Sequence, residues 1–457
     1  MGKTRLLAEF EEIARQDGHH VLRGQAIEDN GVPPNFPWML ALRSYLKQID
    51  EDSFFEELGD CIVDVATIVP ELRARFSLGP IRAAPESATA RYQLYDSVTR
   101  LLLLGAEKNP IVLLFDNLHA IDTSSLAMLD YFAHQIAGSA ILVVGAYRES
   151  EIDRRHPLRP VLHRLSRNNQ FAQVQLPGLS REEVAELLAY RVQVVAPPSL
   201  VRSVFEQSGG NPLFVNEIGA MLTRRNPRER PTGAGARFKV PKSLRDVIDA
   251  RLASVPENCC RLLRTAAILG LDFELAALAA LASISRTRVT RNLQAAETDG
   301  IIETPSKGRF RFCHVLYREV LYAEHNVISR ITLHKRAGEQ IERRYADDLT
   351  PHLSKLAYHF FEAVQAGGEE KAIFYCRLAA EMAVLQRGYD EAVGLLDCAL
   401  QTSDLAEDQD FARRLDLLLA MGRAEYQAGE LNASTQTLVK AAVLAYRHAW
   451  WNRLAEV

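Results

Sequence analysis

A chain of 457 residues has room for about three domains. Its 47% hydrophobic and 25% charged residues are the ordinary balance of a globular protein with more than one core. A formal net charge of -4 gives no global electrostatic case for nucleic acid or an anionic membrane, and leaves only local basic patches to consider.

The cysteines Cys61, Cys259, Cys260, Cys313, Cys376 and Cys398 form no C-x-x-C pair and no zinc-type spacing with histidine. They read as reduced, mostly buried thiols of a cytoplasmic protein. No apolar run approaches the roughly 20 residues of a bilayer span, so no membrane is expected. The opening MGKTRLLAEFEE places charges where a signal peptide needs an apolar stretch.

Residues 3–16 predict an amphipathic helix, with Leu6, Leu7, Phe10 and Ile13 near helical spacing. HHVLRGQA follows as a strand, Pro33, Pro34 and Pro37 break regularity, and PWMLALRSYLKQI resumes as a helix. Another helix, 88–107, ends at Asn109-Pro110. IVLLFDN at 111–117 is an apolar run closing on an acid, the look of a buried parallel strand with a functional group at its C-terminal end. A helix at 124–136, a second such strand at 141–148 and a weaker one at 172–179 complete an α/β first half.

From Ser180 onward the pattern is mostly helical. SREEVAELLAYRV opens with a capping box, Ser180 with Glu183. The stretch at 224–239, rich in Arg, Pro and Gly, reads as a solvated linker, phosphate contacts being the alternative. At 241–322 short helices precede a strand pair: a helix closed by Gly300, then IIE and RFRFCH around the turn Pro305-Ser306-Lys307-Gly308. Helices followed by a hairpin are winged-helix order, and a mid-chain position favours internal packing over DNA reading. Beyond Ser329, GYDEAVGLLDCAL (388–400) and GELNASTQTLVKAA (429–442) repeat with an offset of about 41 residues from Gly388 to Gly429. That is longer than the roughly 34 of a tetratricopeptide array but similar in kind. The chain stops after about two such units, and Trp450 and Trp451 are expected on a face awaiting another repeat.

The chemistry begins at Gly2-Lys3-Thr4, the tail of a Walker A loop running into a helix. Backbone N–H groups at a helix N-terminus face phosphates, and the helix dipole favours the anion. Lys3 is placed to meet the β- and γ-phosphates and Thr4 to hold Mg²⁺. The first glycine of the loop and its preceding strand are expected outside this sequence. Asp116 takes the Walker B position, holding Mg²⁺ through water, the alternative being a strand-end Asp capping a turn. Asn117 stands where many ATPases keep a second acid, and its amide can orient water but not accept its proton. Arg148 is a candidate γ-phosphate sensor, or else a surface Arg pairing with Glu149 or Glu151.

GKTRLLAEF, LLFDNLHAIDTSSLAMLDYFA, ILVVGAYRESEI, GGNPLFVNEI, VPKSLRDVIDARL and FRFCHVLYREVLY, in that order, resemble the ATPase–winged-helix core of large bacterial LuxR-type regulators. These belong to the signal-transduction ATPases with numerous domains, and the same core accompanies nucleotide-cyclase and kinase domains. The resemblance makes Lys3 and Thr4 Walker A, Asp116 Walker B and Arg148 the first sensor. It makes Pro212 the proline that packs on adenine, and His314 the histidine that touches ADP phosphate and locks the resting state. A packed core histidine is the alternative for His314. Where the family shows Asp-Asp-Leu-His-Trp-Ala-Asp, this chain has Asp116-Asn117-Leu118-His119-Ala120-Ile121-Asp122. The missing second acid implies at most slow hydrolysis.

These readings divide the chain into an α/β P-loop core (1–180), a helical lid and linker (181–238), a winged helix (239–325) and incomplete tetratricopeptide-like repeats (326–457). The implied protein is an ATP/ADP- and Mg²⁺-binding switch, truncated at both ends in this sequence. An inducer ligand or protein acts on the repeats, the opened form self-associates, and DNA is reached only through a domain not present here. The alternatives are an ATPase module linked to a cyclase or kinase, and an interaction scaffold or remnant that binds no nucleotide.

Overall fold

Lys3 opens helix α1 (Lys3–Gln16), whose Leu7 and Ala14 are buried. Strand β1 (His20–Gln25) follows, then α2 (Phe36–Leu46), α3 (Cys61–Ile68), α4 (Glu71–Arg75) and α5 (Ala90–Lys108). Strand β2 (Ile111–Asp116), α6 (Thr123–Gln135), β3 (Ile141–Gly145) and α7 (Leu158–Leu165) complete the α/β segment. The computed structural model describes residues 2–27, 31–49, 58–79, 89–167, 171–193, 196–224, 243–405 and 410–457. The three strands form a parallel sheet in the order β1-β2-β3, so β2 is central. All six of its residues are buried, which is why its sequence reads as an unbroken apolar run. Its side chains alternate between faces: Val112 and Leu114 meet Leu7 and Ala14 of α1, while Leu113 and Phe115 join Trp38, Leu42, Leu94 and Phe132 from α2, α5 and α6.

The next stretch is helical. It comprises α8 (Arg181–Val192), α9 (Pro198–Ser208), α10 (Pro212–Arg224), α11 (Leu244–Leu252) and α12 (Glu257–Leu269). Strand β4 (Asp272–Glu274), α13 (Leu275–Ala282), α14 (Arg286–Thr298), β5 (Ile302–Ser306), β6 (Arg309–Phe312) and α15 (Val315–Ala323) follow. The capping box opens α8 as expected: Glu183 N–H donates to Ser180 Oγ (3.2 Å) and Ser180 N–H to Glu183 Oε2 (2.7 Å). The strand pair is there too, but β4 adds a third, giving an antiparallel sheet of order β4-β6-β5. Its Phe273, Phe310 and Phe312 pack with α12, α13, α14 and α15 in one core.

From α16 (Val327–Arg344) to the end, every regular element among the described residues is helical: α17 (Leu353–Glu362), α18 (Glu369–Leu385), α19 (Tyr389–Leu405), α20 (Phe411–Ala428), α21 (Leu431–Arg447) and α22 (Trp451–Glu456). Each helix from α17 to α21 packs chiefly on its neighbours in sequence, as in a helical repeat array. The two similar stretches are α19 and α21. Ser434 Oγ donates to the Gly422 carbonyl (2.7 Å), and a Cβ on Gly422 would stand 2.7 Å from Leu438 Cδ2, so α20 and α21 pack closely there. The two tryptophans part company: Trp450 is half-buried against the repeat core, while Trp451 is exposed.

Two expectations are corrected. Residues 172–179 form no strand, because Leu179 N–H donates instead to the Gly210 carbonyl (2.8 Å), where a helix begins. The strand expected at 141–148 stops at Gly145. Its ladder partner β2 ends one residue later, at Asp116, and Asn117 turns left-handed. The linker at 224–239 lies, apart from Arg224, outside the described residues. By contacts the chain divides into two units, one of residues 7–172 with 334–457, the other of residues 1–6 with 173–333. No described helix is long and apolar enough to cross a membrane.

Candidate nucleotide site

In the unit that holds residues 1–6, Gly2 has φ +80° and its carbonyl accepts from Leu6 N–H (3.0 Å), the first bond of α1. Lys3 and Thr4 thus occupy the first turn, where backbone N–H groups have no intrahelical acceptor. Lys3 is half-buried and Thr4 exposed. The nearest atom a Cβ on Gly2 would meet is Pro212 Cγ, 3.9 Å away, so the loop tail and the proline of GGNP are neighbours.

The GGNP segment has a local explanation as well. Gly209 ends α9 in the left-handed conformation. Gly210, at φ +73°, presses on the Leu179 carbonyl so closely that a Cβ would stand 2.3 Å from it. Asn211 Oδ1 accepts from Leu213 N–H (3.0 Å), and Pro212 takes the first helical position, where its missing N–H costs nothing. His314 also has a structural task, unforeseen from sequence: its Nδ1 accepts from Leu316 N–H (3.1 Å), capping α15. With Nδ1 as acceptor, the ring proton sits on Nε2.

In the other unit, β2 delivers Asp116 to its C-terminal end, where ligands of open α/β sheets bind. Asp116 Oδ1 accepts from Asn117 N–H (3.0 Å). Asp116 Oδ2 is buried and has no hydrogen-bond partner among the described residues. A buried carboxylate oxygen without a partner is costly, and a hydrated cation or an ordered water is what satisfies it. Asn117 adopts φ 58°, a left-handed conformation that Asn tolerates better than most residues.

Arg148 lies three residues beyond β3. Its Nη1 pairs with Glu151 Oε1 (2.6 Å), one of the two partners the surface reading named. The other Glu151 oxygen meets His119 Nε2 (3.2 Å), and Arg148 N–H donates to His119 Nδ1 (3.4 Å). His156 Nε2 lies 3.0 Å from the His119 carbonyl. Buried His119 is therefore the hub of the strand-end network. Sequence reasoning passed over it, although it stands inside the quoted Walker B stretch.

Of the candidate residues, then, Gly2, Lys3, Thr4, Pro212 and His314 lie in one unit, and Asp116, Asn117 and Arg148 in the other. Thr4 and Asp116 offer a hydroxyl and a carboxylate, the hard oxygen donors that Mg²⁺ takes.

Residues 1–144 match the family model described as the AAA ATPase domain. The N-terminal α/β segment with its parallel sheet is thus P-loop ATPase-like, and a mostly helical region follows it. An uncharacterised protein of Rhizobium meliloti (strain 1021) is 23% identical over 355 residues, which is 76% of this chain and 33% of that protein. The chain thus spans about a third of that relative's length. Among solved structures, it is similar to a signal-transduction ATPase with numerous domains and a tetratricopeptide repeat sensor from Pyrococcus horikoshii. That match has a TM-score of 0.42 and 13% identity, covering 96% of this chain and 60% of that one. A match to the Thermotoga maritima RuvB Holliday junction branch migration motor has a TM-score of 0.21 and 16% identity, over 62% of this chain and 97% of that one.

Proposed function

We propose that this chain is the ATP/ADP-binding switch module of a bacterial signalling ATPase, of the kind found in LuxR-type transcriptional regulators. The observation that carries the reading is Asp116: a buried carboxylate oxygen with no hydrogen-bond partner among the described residues, at the end of the central strand of a segment that matches the AAA ATPase domain model. Bound Mg-nucleotide supplies the phosphate charge that tells one conformation from another. Lys3 holds the β- and γ-phosphates, Thr4 and Asp116 the Mg²⁺, and Pro212 packs on adenine. Asn117 orients water without taking its proton, so turnover is slow and serves switching. Arg148 reports the γ-phosphate and His314 holds an ADP phosphate in the resting state.

Helices α11 to α15 with their three-stranded sheet act as a winged helix packed within the protein. The helices from α17 onward receive the inducer, a ligand or a protein, and the opened form self-associates. Transcription activation belongs to a separate DNA-reading domain, and the protein works in the cytoplasm.

The test is titration with a fluorescent ATP analogue and Mg²⁺, on this chain and on the longest reading frame containing it. Asp116→Asn and Lys3→Ala should each weaken binding about ten- to a hundred-fold, the worth of one charge-assisted contact. No binding by either form, or binding indifferent to both substitutions, overturns the reading in favour of an interaction scaffold.

A further inference from the structure

Within the unit that joins residues 7–172 to 334–457, the turn before α19 and its first residues lie against three parts of the α/β segment. Asn35 Nδ2 donates to the Gln386 carbonyl (3.1 Å). A Cβ on Gly388 would stand 2.2 Å from Pro34 Cβ, so the approach admits glycine alone. Arg91 of α5 pairs with Asp390 (2.9 Å) and lies over the Tyr389 ring, 5.3 Å from its centroid. Finally, Glu391 reaches the N-terminus of α6: Ser124 N–H donates to its Oε1 (3.2 Å) and the Ser124 hydroxyl to its Oε2 (2.5 Å).

That helix end already has a cap of its own. Asp122 Oδ1 accepts from Ser125 N–H (2.8 Å) and from Asn35 N–H (3.1 Å). Two carboxyl groups, from parts of the chain far apart in sequence, therefore converge on one helix N-terminus. The dipole and the N–H groups there favour a negative charge. Two carboxylates sharing one desolvated site repel, and the usual resolution is that one keeps a proton. Among the described residues, the other titratable groups facing the site are Arg91 and Asp390, paired with each other, Arg387 and Tyr389, which lie side by side, and Tyr95 of α5. Asn35 Oδ1, at the same contact, is buried and has no hydrogen-bond partner among the described residues.

We propose that Asp122 and Glu391 share one proton at this contact, and that the proton helps to keep the helical repeats seated on the α/β segment, making the seat a latch that loosens as pH rises. The latch stands apart from the nucleotide reading, because it concerns only how two parts of one unit hold together.

Burial, and then the neighbouring Asp122 charge, push the Glu391 carboxyl up from 4.5 to about 7. Burial raises Asp122 too, against the pull of its hydrogen bonds from Ser125 and Asn35. A carboxyl held above its ordinary value in the seated form binds its proton more tightly there than when released. Seating is therefore at full strength below about pH 4.5, weakens as pH climbs to about 7, and is level above that. One shared proton gives a slope of up to about ten-fold per pH unit within that window.

The experiment is hydrogen exchange of the peptides covering 119–126 and 386–393 between pH 5 and 8.5, with protection factors corrected for the intrinsic exchange rate. Wild-type protection of both segments should fall together by at least about ten-fold between pH 5 and 7.5, while α12 stays unchanged. Glu391→Gln removes the charge yet keeps an acceptor for Ser124. It should hold at pH 8 the protection that wild type shows at pH 5, with a flat profile. Glu391→Ala loses the Ser124 bonds and should be poorly protected at every pH. A flat wild-type profile, which needs no variant to measure, overturns the proposal. So does a Glu391→Gln profile that follows wild type.

Discussion

Arg251 of α11 and Glu217 of α10 form an ion pair buried in the smaller of the two units, and Tyr317 of α15 completes it. Arg251 Nη1 donates to the Tyr317 hydroxyl (2.7 Å), and that hydroxyl donates to Glu217 Oε2 (2.9 Å). Arg251 Nη2 also donates to the Asp299 carbonyl after α14. Burial, with Glu217 alongside, raises the Tyr317 phenol well above its ordinary value, so it stays protonated and donates throughout the working range. Three helices that follow the GGNP turn are thereby fixed to one another.

Removing one member of a buried pair strands the other charge, whereas replacing both is often nearly neutral. Arg251→Met should cost about 3–5 kcal/mol in urea unfolding, and adding Glu217→Leu should recover most of it. Tyr317→Phe should cost about 1–3 kcal/mol, since its hydrogen bonds from Arg251 and to Glu217 are both lost while those two side chains still pair with each other. Additive losses in the Arg251–Glu217 double variant would show that the two side chains do not act as a pair.

Asn117 combines a backbone requirement with a proposed chemical one, and substitutions separate them. At φ 58° a β-branched residue is strained, so Asn117→Val should lower stability by about 1–3 kcal/mol, and Asn117→Gly should cost far less. Asn117→Asp keeps a residue that tolerates this conformation and adds a carboxylate able to accept a proton from water. Phosphate release from ATP should rise about ten-fold or more, toward the range of general-base catalysis. Unchanged turnover, with ATP still bound, would confine Asn117 to its turn.

What could be read in advance, and what could not, follows from where each signal lies. The central strand was legible because a strand buried on both faces must be apolar throughout, and Asp116 interrupts that rule only at its end. Ser180 and Glu183 were legible because a capping box is local, complete within four residues. The Glu391 contact was not. An acid in the first turn of a helix is expected for that helix's own dipole, so nothing marked Glu391 as serving α6 instead. Glu217 was hidden in the same way, since its partners Arg251 and Tyr317 come from other helices. The third expected strand failed because the alternating pattern at 172–176 outweighed Pro177-Gly178, which in the structure leads into contact with the Gly210 turn.

Arg148 is held by Glu151, which also binds His119. If Arg148 senses a γ-phosphate, ATP has to compete with that carboxylate. Glu151→Gln should then raise affinity for ATP over ADP, by no more than about five-fold, because a partly exposed ion pair is worth about 1 kcal/mol or less. Arg148→Ala should abolish the preference in either background. Equal gains for ATP and ADP in Glu151→Gln would assign Arg148 to the surface pair alone.

His314 now has three readings: ADP ligand, packed core histidine, and cap of α15. The cap is visible, from Leu316 N–H to Nδ1, and the ring is only half-buried, which disfavours simple packing. Capping and phosphate binding are compatible, because a ring that accepts at Nδ1 carries its proton on Nε2. Asn separates them: its short side chain is among the best helix caps, but it does not place a donor where Nε2 stands. His314→Asn should therefore unfold within about 0.5 kcal/mol of wild type, while His314→Ala loses about 1 kcal/mol with the cap. If His314 holds an ADP phosphate, both variants lose ADP affinity about ten- to a hundred-fold, and the nucleotide-free His314→Asn protein melts normally. Normal ADP affinity in both, with instability only in His314→Ala, would make the cap its whole role and remove His314 from the nucleotide site.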